Sequence, residues 1–210
     1  MEEKEFNIDE EIKEFHFPRW NEFPNVDLYL DQVVTLIEQY LGKFLSSSED
    51  EKVVTKTMIN NYVKHKVVNA PVNKKYGKEH LAYLFVVFIL KQIYSMDEIK
   101  LLIHLAIKTS SVEKAYDRFG DELEKAIIST FEGKSYIKEE KMSQEQYLLK
   151  NAVQSFANKL YVQRIYLKNK WSFLGRSKKG SLKIEKLKKR KTKNKNKKIE
   201  KKKKRKLKLL

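Results

Sequence analysis

Residues 81–90 read Leu-Ala-Tyr-Leu-Phe-Val-Val-Phe-Ile-Leu, an apolar run without a charged or amide side chain. As a helix it rises about 15 Å, roughly half the thickness of a bilayer core. It is too short to span a membrane, and a helix apolar on every side is one that other elements bury. The run therefore reads as a core helix. Few segments elsewhere alternate with period two, so strand content should be low, with any strands flanking the loop at residues 71–76. Six Gly and three Pro exclude collagen-like and Gly/Pro-rich low-complexity chains.

Helical spacing organises the rest. Leu28, Val33, Val34, Ile37, Leu41 and Phe44/Leu45 predict a helix from residue 27, broken by the Ser- and acid-rich residues 46–51. Thr55 opens a second helix to Lys66, and Pro71 and Gly77 punctuate a loop. A third helix should run over 78–94. Ser95-Met96-Asp97-Glu98 is a capping box opening a fourth to Lys108. Ser111 opens a fifth to Phe131, with a candidate break at Gly120, and Ser143 opens a sixth to Lys170. In the sixth, Leu149, Val153, Phe156, Leu160, Gln163 and Leu167 form a 4-3-4-3-4 seam. Such a seam serves either a homodimer through helix 143–170 or a helix lying along its own body. Residues 15–24 carry three Phe, Trp20, Pro18 and Pro24, which excludes a helix interior; the aromatics should clamp an extended arm to the body.

The formal net charge of the 210 residues is +17. All of that excess sits in residues 175–210, with 20 basic and 2 acidic residues; residues 1–174 are at −1. Like charges repel in such a run and few apolar groups offset ordering entropy, so it is expected to be a disordered Lys-rich tail. Three readings stay open: nonspecific binding of polyanions by counterion release, seating on anionic lipid, or A-rich DNA read past a natural stop or out of frame. Residues 1–14 read as an acidic, flexible lead-in without a signal peptide, so the expected location is the cytoplasm.

There is no Cys, which excludes disulfides, thiolate metal sites and a Cys nucleophile. His16, His65, His80 and His104 lack metal-ligand spacing, and His80 and His104 read as core or boundary residues. No nucleophile elbow, phosphate-binding Gly loop or His-x-x-x-His pair is present. The expectation is a non-enzyme with no cofactor and no metal.

The informative charge is local. Residues 1–51 hold 4 basic and 14 acidic residues, whereas residues 52–94 hold 8 basic and 1 acidic. The positive part centres on helix 55–66. Met58, Ile59, Tyr62 and Val63 fall on one side of that helix; Lys56, Thr57, Asn60, Asn61 and Lys64 fall on the other. Asn can bond an adenine edge bidentately and Lys can reach guanine or phosphate. Thr55 as N-cap leaves a positive helix end for a phosphate. The plainer reading is a solvated helix face.

Four blocks in order carry a resemblance. They are Phe17-Pro18-Arg19-Trp20, residues 28–33 (Leu-Tyr-Leu-Asp-Gln-Val), residues 55–64, and residues 74–84 (Lys-Lys-Tyr-Gly-Lys-Glu-His-Leu-Ala-Tyr-Leu). Together they resemble the bacterial family catalogued as domain of unknown function 1836, over roughly residues 15–170. Residues 55–98 also resemble the MerR-type winged helix-turn-helix, through Tyr62, Pro71, Tyr76 and Ser95-Met96-Asp97-Glu98-Ile99. That likeness makes Asn73, Lys74 and Lys75 wing residues on the phosphate backbone and suits a C-terminal dimerisation helix. The chain departs from the type in a longer helix before the turn, a longer loop at residues 46–51 and a reading helix without Arg.

The expected fold is all-α: a winged helix-turn-helix-like domain with its aromatic arm over 15–108, a helical extension and dimerisation region over 109–174, then the tail. The expected function is a bacterial transcriptional regulator that binds double-stranded DNA. Thr57, Asn60, Asn61 and Lys64 would face the groove, and Lys56, Lys74 and Lys75 would hold phosphates, with Thr55 and Asn73 beside them. The alternative is a protein-interaction module using the same unit as a scaffold.

Overall fold

The computed structural model describes residue 12 and residues 14–46, 52–134 and 141–175, with residues 165–175 described by backbone alone. A 3-10 turn at Trp20–Glu22 precedes strand β1 (Leu28–Tyr29) and helices α1 (Leu30–Leu45) and α2 (Lys56–Lys64). Strand β2 (Lys75–Tyr76) follows, then α3 (Lys78–Leu90), α4 (Met96–Lys108), α5 (Val112–Phe131) and α6 (Gln144–Gly175). The fold is all-α apart from one antiparallel pair, with Leu28 opposite Tyr76 and Tyr29 opposite Lys75. The chain divides into two units, Met1–Gln163 and Arg164–Leu210. The architecture below is that of the first. The expectations of a flexible lead-in over 1–14 and a disordered tail over 175–210 fall almost wholly outside the described residues.

The apolar run forms α3, and Leu81, Ala82, Leu84, Phe85, Val87, Phe88, Ile89 and Leu90 are all buried. A helix that offers no polar side needs neighbours all round it. α1 supplies Val33, Ile37, Leu41 and Phe44 to the same core, and α5 supplies Tyr116, Phe119, Leu123, Ile127 and Phe131. Both sets recur at three and four residues, the period that puts them on one helix face. The aromatic arm packs in from its own side: Phe17 meets Phe85, Tyr116 and Phe119 at ring-centroid distances of 5.8, 5.4 and 5.5 Å. It is the clamp expected from its composition.

Helix ends differ from expectation where tertiary pairing decides them. The first helix begins at Leu30 because Leu28 and Tyr29 are spent on the strand pair, and the Gln32 side chain caps the start by accepting from Tyr29 N–H at 2.8 Å. α3 stops at Leu90, and Ser95 then caps α4 as the capping box predicts: Ser95 N–H donates to Glu98 at 2.7 Å and Glu98 N–H to Ser95 Oγ at 3.4 Å. α5 runs unbroken through Gly120.

The α6 seam lies on its own body. Val153, Phe156 and Leu160 are buried, as are Ala152 and Ala157, and Tyr161 sets its ring 5.2 Å from Phe131. Lys159 Nζ donates to the Gln92 carbonyl at 2.6 Å, and Gln154 Nε2 donates to Thr130 Oγ1 at 2.7 Å. Of the two readings of the seam, these contacts carry the second. Leu167 lies outside the described side chains.

Candidate nucleic-acid interface

Nine residues are too few to hold a helix alone in water. α2 is held at both ends and along one side. Thr55 caps it, its Oγ1 accepting from Met58 N–H at 3.2 Å. At the other end Lys66 takes φ 56°, with Lys66 N–H to Val63 O at 2.9 Å and Val67 N–H to Tyr62 O at 3.0 Å. That pair of bonds around a left-handed residue is the Schellman stop, here built on Lys instead of the usual Gly. It ends the helix at Lys64, two residues short of the expected Lys66. Ile59 and Tyr62 are buried, and Tyr62 sets its ring edge against Phe88 of α3 at 5.3 Å. Burial pushes the Tyr62 phenol up from its usual pKa.

With that side docked, the opposite one faces outward. Lys56, Thr57, Asn60, Asn61 and Lys64 are all exposed, as the helical projection predicts. Thr55 is half-buried and committed to its cap.

The loop after α2 closes on a two-residue hairpin. Val72 and Lys75 exchange both backbone bonds, at 3.0 and 2.9 Å, and Asn73 and Lys74 at the tip have φ 50° and 63°. Two successive positive φ values are the type I′ pattern, whose twist matches that of the flanking strands. Cross-strand partners share a face, so Tyr29, Lys75 and Val72 form one row, and Leu28 and Tyr76 turn into the core. Tyr29 is 55% and Val72 65% exposed. His80 fastens the loop from below: its Nδ1 accepts from Gly77 N–H at 3.1 Å, which leaves Nε2 to donate to Ala70 O at 3.2 Å. His80 is thus a structural boundary residue.

Two cations of the expected set have partners within the chain. Lys56 is ion-paired with Asp31 in the first turn of α1. Lys75 places its Nζ 5.2 Å from the centroid of the Tyr29 ring, a cation–π contact. Lys64 and Lys74 make no ion pair among the described residues. Tyr29 and Asp31 sit two residues apart, so one short stretch touches both the start of α2 and the hairpin. It brings the two halves of the candidate surface together. Sequence reasoning missed both residues. Asp31 is the more consequential, since it brings a carboxylate to a helix face that has none of its own. Among the described residues no cluster of His, Asp and Glu could hold a metal ion, and no helix is long and apolar enough to cross a membrane.

Residues 18–119 match the family described as domain of unknown function (DUF1836). Over this stretch the chain belongs to the DUF1836 family. The match is shorter than the resemblance over 15–170 suggested. The DUF1836 domain takes in the 3-10 turn, the strand pair and α1 to α4, and ends inside α5, so the candidate surface lies wholly within it. No curated protein and no solved structure matches the chain.

Proposed function

We propose that the DUF1836 domain binds duplex DNA, with the outer face of α2 in the major groove and the 72–75 hairpin on the backbone, as part of a non-catalytic bacterial transcriptional regulator acting in the cytoplasm. One observation carries this reading. Thr57, Asn60, Asn61 and Lys64 stand exposed together on a helix whose opposite face is fixed to the core, and Lys74 tips a rigid hairpin mounted on the same turn of chain. Amides and hydroxyls on a rigid helix suit base edges, and the flanking cations suit phosphates. The order α1, loop, α2, hairpin, α3 is in keeping with the MerR-type winged helix-turn-helix resemblance, which rests on sequence and topology alone.

The test is selection of binding sites from a random duplex pool by the full chain, beside the triple variant Asn60→Ala, Asn61→Ala, Lys64→Ala. A sequence motif enriched by the wild type and lost in the variant is the expected result. Binding through residues 175–210 is indifferent to sequence and survives the substitutions. Absence of any motif, or an unchanged motif in the variant, overturns the reading.

The exposure of Tyr29 and Val72, side by side on the hairpin row, favours a second reading, a protein partner at the same surface. Partners captured from a bacterial lysate after nuclease treatment, and lost on Tyr29→Ser with Val72→Ser, would support it. Val153, Phe156 and Leu160 of the seam are buried, so a homodimer through this part of helix 143–170 would have to use exposed residues such as Tyr147, Leu148 and Val162.

A further inference from the structure

Among α3, α4, α5 and α6 lies a cavity of about 90 Å³. Four alanines stand in its walls, Ala82, Ala106, Ala115 and Ala152, one from each helix. Protein cores are normally filled, and a larger side chain at any of these positions would close the space. α4 shows the consequence. Its sequence is apolar at eight of thirteen positions, yet Ile99 is the one residue of that helix that is fully buried. Leu102 and Ile103 are only partly buried against the core and, with Ala106, border the cavity.

Ala82, Leu90, Phe119 and Ala152 in the lining are buried, as is Tyr116, whose hydroxyl has no hydrogen-bond partner among the described residues; Thr109, Arg118, Glu145 and Gln146 are exposed and so mark the mouth. Gln146 is committed to the start of α6, its Oε1 accepting from Ser143 N–H at 2.9 Å. Its own backbone N–H, Ser143 and the nearby charge of Lys108 hold the Glu145 carboxyl below its usual pKa. Arg118 has no hydrogen bond or ion pair among the described residues. The mouth therefore presents an uncommitted guanidinium, the group best suited to fork onto a carboxylate. We infer that this cavity is a binding site for a short-chain aliphatic acid, a body of about four carbons in the alanine-lined space with its carboxylate on Arg118; a cavity of about 150 Å³ is what holds benzene, so aromatic rings and longer chains are too large for this one. Mostly apolar walls with a few placed polar groups are the usual lining of such sites. The inference is independent of DNA binding.

The test uses the full chain, with isovalerate as probe and 3-methylbutanol as its uncharged counterpart, followed by calorimetric titration and thermal melting. Isovalerate should bind saturably and raise the melting temperature, and the alcohol should bind more weakly. Arg118→Gln, a surface change, should weaken isovalerate about tenfold and leave the alcohol unchanged. Ala106→Phe fills the space from a half-exposed position and should weaken both ligands with the helical signal intact. Methyl NMR of the unaltered protein gives a reading that no variant can spoil: isovalerate should shift Leu102 and Leu149 and leave Leu41 in place. No saturable binding at millimolar isovalerate, equal binding of acid and alcohol, or binding untouched by Ala106→Phe would each overturn the inference.

Discussion

The guanidinium of Arg19 forks onto the carboxylate of Glu124, Nη1 to Oε1 at 3.1 Å and Nη2 to Oε2 at 2.7 Å. The same carboxylate accepts from Phe17 N–H at 2.8 Å, Asp121 pairs with Arg19 at 2.9 Å, and Trp20 N–H donates to Asp117 at 2.8 Å. Three acids of α5, spaced four and three apart, thus line up to hold the arm. Partial burial works against the Arg19 charge, and Glu124 and Asp121 together outweigh it, so its pKa is raised overall. Glu124→Ala strands a guanidinium and a backbone N–H in a half-buried setting. It should cost about 2–3 kcal/mol by urea denaturation. Glu124→Gln keeps an acceptor for Phe17 and should cost less. Equal losses in the two variants would mean that the backbone bond contributes nothing beyond the charged fork.

These contacts show where sequence reasoning stops. The helices were legible because burial on one face writes a period of three to four into the chain, as in Val33, Ile37, Leu41 and Phe44. Pairings between distant residues leave no such trace. Leu28 and Tyr29 fit a helical period, and only their partners at Tyr76 and Lys75 make them a strand. Gly120 read as a breaker by type, but it is there for the arm: a Cβ at that position would come within 2.9 Å of both Phe17 Cδ1 and Arg19 Nη1. The candidate surface was legible to the same extent. The outward set on α2 followed from periodicity alone. The engagement of Lys56 by Asp31 and of Lys75 by Tyr29 did not, since neither partner is near in sequence.

The Asp31–Lys56 pair yields a prediction on binding. Both groups are more than half exposed, so the pair adds little to stability. On the proposed DNA surface, however, Asp31 neutralises one cation and repels phosphate. Asp31→Asn should leave the urea midpoint within error and tighten DNA binding several-fold at low salt, with the salt dependence steeper by about one released counterion. Unchanged affinity in fluorescence anisotropy would place Lys56 outside the contact.

Burial pushes the phenols of Tyr62, Tyr76, Tyr83 and Tyr116 above their usual pKa; Glu79 adds to this for Tyr83 and Asp117 for Tyr116. A raised pKa means that the folded chain keeps protons that the unfolded chain releases near pH 10. The contribution is therefore complete below about pH 10 and is lost as pH rises beyond it. Urea midpoints should be flat from about pH 8 to 9.5 and then fall. Tyr116 is buried, and its hydroxyl has no hydrogen-bond partner among the described residues. Tyr116→Phe should make the alkaline fall shallower and raise stability at pH 8 by about 1 kcal/mol. An unaltered alkaline slope in that variant would shift the effect to the other three.

The hairpin tip separates stability from binding most cleanly. Lys74 sits at φ 63°, where a side chain collides with its own backbone, and a type I′ turn favours Gly at this position after Asn73. Lys74→Gly relieves that strain against the larger entropy of glycine in the unfolded chain, and should stabilise the protein by about 0.5–1 kcal/mol. It also removes the cation that the proposed function sets on a phosphate. DNA binding should weaken severalfold and its salt slope should fall by about 0.9. A purely structural hairpin would move stability alone, and a general loss of fold would move both downward. Stability up with affinity down is the one combination that a phosphate-contacting wing produces. Lys74→Arg, which keeps both charge and strain, should change neither.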